Sequence, residues 1–364
     1  MIKIVGVGDI MPGGLLTDSP DPCANEDIIK MLLDGDVRCG TLECAFGNEP
    51  TYDEAKVADR GNVIYAKDAD IRRLKELHID VVSLANNHFF DLGPDGAQHT
   101  IDLLDREGIL HCGAGRNLEE AGKPVVLEIQ GKKVAFLGFC DTDYNHVYWC
   151  TYATGDSPGV NPMRGDYVIS EIKEYSSQYD FVIVLAHWGS ENTFFPCVSI
   201  IDMAKKMIDA GASLVLGSHP HCVQSVIEYK GKVIALSLGN FLFPERLIAP
   251  PKVTYYPQES IDYSILPVTD EYPLVNTITL KTLPYLARVG MIVWIDGFAK
   301  VKMRFSYLSK NNRIAPLDAE NERKLIGKIN KIDMFIRLGV YPLYYKCCRY
   351  SAAAISKIKR LIKI

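Results

Sequence analysis

The chain has 364 residues, 48% of them apolar, enough for one large or two ordinary domains around a sizeable core. A net charge of −5 excludes a protein that binds nucleic acid over its whole surface. No run of about 18 apolar residues reads as a membrane span, and strand-like "IKIVGVG" follows Met1 without a signal-peptide layout, so a cytoplasmic location is expected.

Through roughly residue 245, short apolar runs alternate with segments of helical periodicity, the pattern of layered α/β architecture. The runs are "IKIVGVGD" from Ile2, "CGTLECA" from Cys39, "DVVSLANNH" from Asp80, "FVIVLAHWG" from Phe181, "SLVLGSHPH" from Ser213 and "VIALSLGNF" from Val233. Helices are predicted between them, over Ala69 to Leu77, Gly96 to Glu107 and Ser199 to Ala210 among others. This gives a first domain over 1–249. From Pro250 the pattern changes to short strand-like pieces such as "NTITLKTL" and "GMIVWIDG", which predicts an appended β region over 250–317 packed on the same domain. Residues 318–364 are expected to form a basic amphipathic helical tail. From Arg323 onward there are eleven Lys and Arg against the single acid Asp333, so the tail carries about +10 and the rest about −15. Such a tail reads either as helices packed on the acidic body or as a peripheral contact for the membrane's inner face. Ten cysteines in a cytoplasmic setting read as reduced thiols.

Each apolar run ends on a residue that carries chemistry. Asp9, Glu43, Asn87, His88, His187, His219 and His221 all follow strand-like segments, and α/β folds gather ligands at the carboxyl ends of strands. Any one of them alone reads as a cap or a satisfied buried group; together they form the mixed oxygen and nitrogen set that borderline divalent metals favour. His219-Pro220-His221 can turn two alternate imidazoles toward one pocket, one for each of two ions. Asp9 and Glu43 supply hard donors and a bridge, and the Asn87 carbonyl completes a shell without adding charge. Manganese, zinc and iron suit this set equally. Two divalent ions would acidify a bound water, so metal-assisted hydrolysis of an ester or anhydride is the expected reaction class. His88 is placed to protonate the leaving oxygen and Asp91 to orient its ring.

The ordered motifs "GDIM", "LANNHFFDLG", "LAHWGSE", "GSHPHCVQ" and "SLGNFLF", over about Ile2 to Phe243, closely resemble the CapA family of poly-γ-glutamate capsule synthesis proteins, a branch of the calcineurin-like metallophosphoesterase superfamily. The resemblance implies a four-layer α/β/β/α sandwich with a two-metal centre at one edge. By motif, Asp9 and His221 would bind the first metal, Asn87, His187 and His219 the second, Glu43 would bridge them, and His88 would be the general acid. Asn86, Glu191 and Asn240 are expected around the pocket, and Trp188 either walls the cleft or packs in the core. Two departures stand out: Met11 occupies the place of a histidine common in the superfamily, and Thr41 that of an asparagine common in the family. Many such proteins carry an N-terminal membrane anchor, and from the strand-like start of this sequence none is expected here. The implied function is divalent-metal-dependent hydrolysis of a phosphoester or related bond in capsule or cell-surface polymer metabolism, on an anionic polymer or phosphorylated small molecule. The alternative is a noncatalytic assembly component that binds an anionic polymer or its carrier.

Overall fold

The computed structural model describes residues 1–48, 62–141, 150–250, 252–256, 265–270 and 275–348. In chain order the strands of the body are β1 (Lys3–Ile10), β2 (Val37–Leu42), β3 (Val81–Ser83), β4 (Leu110–Cys112), β5 (Val125–Ile129), β6 (Lys132–Cys140), β7 (Phe181–His187), β8 (Leu214–Ser218), β9 (Val226–Tyr229), β10 (Lys232–Ala235), β11 (Asn240–Leu242), β12 (Val289–Asp296), β13 (Lys300–Leu308) and β14 (Ile314–Pro316). The helices around them are α1 (Glu26–Leu33), α2 (Arg72–Glu76), α3 (Gly93–Glu107), α4 (Gly165–Gln178), α5 (Val198–Asp209) and α6 (Ala319–Arg337). One sheet runs β14-β13-β12-β1-β2-β3-β4 with β11 also against β1, and the other runs β9-β10-β8-β7-β6-β5.

The central strands are apolar at successive positions because both their faces are covered. Ile4, Phe136, Ile183 and Leu216 point into the layer between the sheets. Their neighbours point the other way. Val5 and Val7 meet Ile28 of α1 and Leu104 of α3, and Val182, Val184 and Val215 meet Ile172 of α4 and Met207 of α5. The result is helix, sheet, sheet, helix: a four-layer α/β/β/α sandwich, in which each such side chain contributes on the order of 1.5–3 kcal/mol by burial.

Two expectations need correction. "VIALSLGNF" reads as one strand, but the chain breaks within it: β10 belongs to the second sheet and β11 to the first. Gly239, at φ 65°, makes the crossing, and its carbonyl accepts the Asp9 N–H at 2.9 Å. A Cβ on Gly8 would lie 1.7 Å from that carbonyl oxygen, so only glycine allows the approach. The region after 249 is also more than an appendage. β12 pairs antiparallel with Lys3 to Gly6, and β11 pairs parallel with Asp9 and Ile10, so both flank the same side of β1. The sequence pattern changes at 249; the fold does not divide there. A four-stranded sheet of Arg246–Ala249, Val253–Tyr255, Val268–Thr269 and Thr279–Lys281 lies off the main sheets.

The first part of the basic tail is packed on the body. Asp318 caps α6 by accepting the Asn321 N–H, and Leu325, Ile329 and Ile332 enter the cores. A further helical segment over 341–348 is fixed by buried Tyr341, whose hydroxyl donates to the Pro196 carbonyl at 2.8 Å. Residues 349–364 lie outside the described residues.

Candidate metal centre

The carboxyl ends of β1, β2, β3, β7 and β8 converge, and with them Asp9, Glu43, Asn87, His187, His219 and His221 come together and are buried. Local backbone features aim each one. The register of β1 against β2 slips between Gly6 and Asp9, a bulge that re-aims the strand's polar end. Glu43 follows β2 directly and donates its N–H to the Ile10 carbonyl at 2.8 Å. His219 and His221 lie past the end of β8 with φ of 92° and 53°. For residues with a Cβ this is a strained, left-handed backbone, so a tight turn rather than strand alternation points both rings inward.

Two overlapping donor groups result, Glu43, His187 and His219 in one and Asp9, Glu43 and His221 in the other, each with its ligand atoms within 4.8 Å of one another. Glu43 Oε1 lies 3.6 Å from His187 Nε2 and 3.7 Å from His221 Nε2. Asp9 Oδ1 is 3.7 Å from His187 Nδ1, and Asp9 Oδ2 is 3.7 Å from His221 Nδ1. The Asn87 carbonyl oxygen is 2.8 Å from His187 Nε2. Asp9 Oδ1, both Glu43 carboxylate oxygens and His219 Nε2 are buried without a hydrogen-bond partner. Four orphaned donor atoms in one dry cluster are expensive unless a cation satisfies them. These residues therefore fit a divalent metal.

Burial dominates the electrostatics. It pushes the Asp9 carboxyl up to about 6, against the opposing pull of His221 and the His219 N–H. It raises Glu43 well above its ordinary value, assisted by the charge of Asp9. The same desolvation lowers His187 well below the usual imidazole range and His219 to about 4, so both rings are neutral and able to act as ligands.

A second ring of residues holds the first. Ser218 Oγ lies 2.9 Å from His187 Nδ1 and 2.9 Å from Thr41 Oγ1. Ser218 carries no distinctive signal in the sequence, being a hydroxyl at a strand end, and Thr41 stands out there only as a departure from the family pattern. Asn240 Oδ1 is 2.8 Å from His221 Nδ1, while its amide donates to the Ala287 carbonyl at 2.8 Å. That second bond fixes which way the amide faces. His221 must then donate from Nδ1, which leaves the Nε2 lone pair toward Glu43. His88 Nδ1 lies 2.7 Å from Asp91 Oδ2, an oxygen that also accepts the Ile64 N–H. Asn86 is buried and structural: it accepts the His88 N–H and donates to the Leu42 and Leu84 carbonyls.

Trp188 does not line the pocket. Its ring sits in the core between the second sheet and its helices, with Nε1 donating to the Leu236 carbonyl at 2.9 Å. Glu191 is exposed as a residue, but its carboxyl turns in toward the histidines; desolvation raises that carboxyl, and His219, His221 and His88 outweigh this and hold it below its ordinary value. Met11 is fully buried in the apolar layer under the first sheet. A cleft of about 520 Å³ opens over His221 and Asn240, walled by Asn192, Phe243, Tyr285 and Leu286.

The chain matches the profile of the family described as bacterial capsule synthesis protein PGA_cap over residues 3–245. It is 32% identical over 247 residues to the capsule biosynthesis protein CapA of Bacillus anthracis, covering 66% of this chain and 59% of that protein. It is 31% identical over 245 residues to the PGA biosynthesis protein CapA of Bacillus subtilis strain 168, covering 66% and 62%. The matched segment thus spans about six-tenths of the length of these relatives. Among solved structures, the NAD nucleotidase of Haemophilus influenzae aligns at 11% identity and a TM-score of 0.40, covering 91% of this chain and 56% of that one. The protein TT1561 of Thermus thermophilus aligns at 12% identity and a TM-score of 0.35, covering 68% and 92%.

Proposed function

The chain belongs to the bacterial capsule synthesis protein family, and from that premise we propose that it is a divalent-metal-dependent hydrolase of phosphoester or related bonds serving capsule or poly-γ-glutamate synthesis. The observation that carries the reading is the set of orphaned buried donors: Asp9 Oδ1, Glu43 Oε1 and Oε2, and His219 Nε2 face one another with no partner. Asp9, Glu43 and His221 would hold one ion, and Glu43, His187 and His219, with the Asn87 carbonyl alongside, a second. When bound, divalent ions neutralise an anionic substrate and make a nucleophile available from water near neutral pH.

The remaining roles fall to side chains of the chain. Asp91 accepts from His88 Nδ1 and orients the ring; with the imidazole doubly protonated, Nε2–H is the proton handed to the departing oxygen, which leaves the ring neutral. Thr41 and Ser218 hold His187, and Asn240 holds His221. The cleft over His221 and Asn240 receives the substrate.

Elemental analysis of protein purified without chelator, combined with a panel of phosphomonoesters, phosphodiesters and γ-glutamyl polymers assayed with added metals, tests this reading. Bound metal and turnover lost together in Asp9→Ala and His219→Ala support it. Wild-type protein that holds no divalent metal refutes it, and metal-loaded protein that supports polymer output without turnover would leave the noncatalytic assembly role.

A further inference from the structure

Away from the centre, one surface combines charge and exposed apolar groups that the body leaves uncovered. Lys324, which pairs with Glu320, and Lys328, Lys331 and Leu338, the last just past the end of α6, recur at i, i+4, i+7 and i+14, which places them on one side of the helix, beside the buried Leu325, Ile329 and Ile332. Met334 is 47% exposed, Leu338 66%, Val340 46% and Leu343 68%, and Arg337 and Lys346 are exposed among them. Beside them lies a groove of about 360 Å³, apolar except for Lys328 and Lys331, that includes Phe194, Phe195 and Tyr344. Leu286 lines both this groove and the cleft over the candidate metal centre, so the two adjoin.

We propose that this face docks on an anionic lipid bilayer and so holds the mouth of the candidate centre at the membrane surface. Water alone is a poor match for side chains as exposed as Leu338 and Leu343. A bilayer interface offers them hydrocarbon and offers the lysines anionic headgroups, with each basic residue near such a surface multiplying the partition by roughly fivefold. The sequence continues in kind: residues 349–364 add Arg349, Lys357, Lys359, Arg360 and Lys363, interleaved with isoleucine and leucine and without an acid. The charge sign selects the lipid. The rest of the chain carries about −15, so a neutral or cationic partner would be recruited elsewhere. The inference does not depend on turnover at the centre, because docking is read by binding alone.

The test is co-sedimentation of the full chain with vesicles of phosphatidylglycerol and phosphatidylcholine, against vesicles of phosphatidylcholine alone. Wild-type protein is expected to pellet with the first and not the second, and to be released as salt rises toward about 0.5 M. Lys328→Glu/Lys331→Glu and Leu338→Asp/Leu343→Asp are each expected to weaken the partition by about tenfold or more while unfolding at the wild-type temperature. If the second pair fails to fold, Leu343→Asp alone replaces it, its side chain being the most exposed of the four. Equal binding to both vesicle types overturns the proposal, as does wild-type binding by both variants, which would assign the attraction to residues 349–364 alone. A dimer that the variants dissociate, with no vesicle binding, also overturns it and makes the face a contact between copies.

Discussion

Asn240→Ala tests how the centre prepares its ligands. The side chain makes two bonds of 2.8 Å, one to His221 Nδ1 and one to the Ala287 carbonyl, and it is buried. Truncation removes the acceptor that keeps the proton on Nδ1 and strands a buried carbonyl. Loss of one outer hydrogen-bond partner of a histidine ligand lowers metal affinity by about 10- to 100-fold, or roughly 1.4–2.7 kcal/mol. The stranded Ala287 carbonyl should cost about 1–3 kcal/mol of folding stability. Asn240→Asp separates the effects: it keeps an acceptor facing His221 and replaces the donor to Ala287 with a second acceptor, so stability should fall at least as far as in the alanine variant while metal affinity is largely retained. Competition against a chromophoric chelator reads the first quantity and urea unfolding of metal-free protein the second. If Asn240→Ala binds manganese and zinc within about twofold of wild type, the tautomer argument is wrong.

Two further expectations follow from individual side chains. His88→Ala should lower turnover by about 10²- to 10⁴-fold with bound metal unchanged, measured by steady-state kinetics and elemental analysis of the same preparation; parallel loss of metal would show that His88 is a ligand instead. Asp333 of α6 is buried with Oδ1 lacking a hydrogen-bond partner, and burial pushes its carboxyl up to about 6, although Ser225 and Arg337 oppose the shift. Because the folded state holds this proton more tightly, its contribution to stability is whole below about pH 4 and is lost as pH rises through about 6. Asp333→Asn should therefore match wild type near pH 4 and exceed it by about 1–3 kcal/mol at pH 7.5, the upper end being reduced by residual solvent screening. A difference that stays constant across urea unfolding at both pH values refutes the assignment.

Much of the centre is legible in the sequence because strand ends in layered α/β folds announce themselves: an apolar run stops and Asp9, Glu43, Asn87, His187 or His219 appears. What escapes is whatever depends on three-dimensional detail. Ser218 and Thr41 are ordinary hydroxyls until the sheets face each other and set them 2.9 Å apart. Trp188 adjoins His187 in sequence, yet the strand alternation that turns the histidine inward turns the indole into the core. The split of "VIALSLGNF" hides behind an almost unbroken apolar run, with Ser237 and Gly239 its local hints. The inclusion of β12 in the first sheet is invisible locally, since a strand pattern says nothing about which neighbour it will find.

The pairing of β1 has a consequence for biosynthesis. Its first half rests against residues near 295 and its second against residues near 240, while the family match ends at 245. A fragment cut at that point would leave half of a central strand with bare amide and carbonyl groups, a template for sticking to other chains. During translation Lys3 to Gly6 must wait for nearly three hundred further residues before their antiparallel neighbours exist, so this pairing is slow to close and leaves a strand edge open in the meantime.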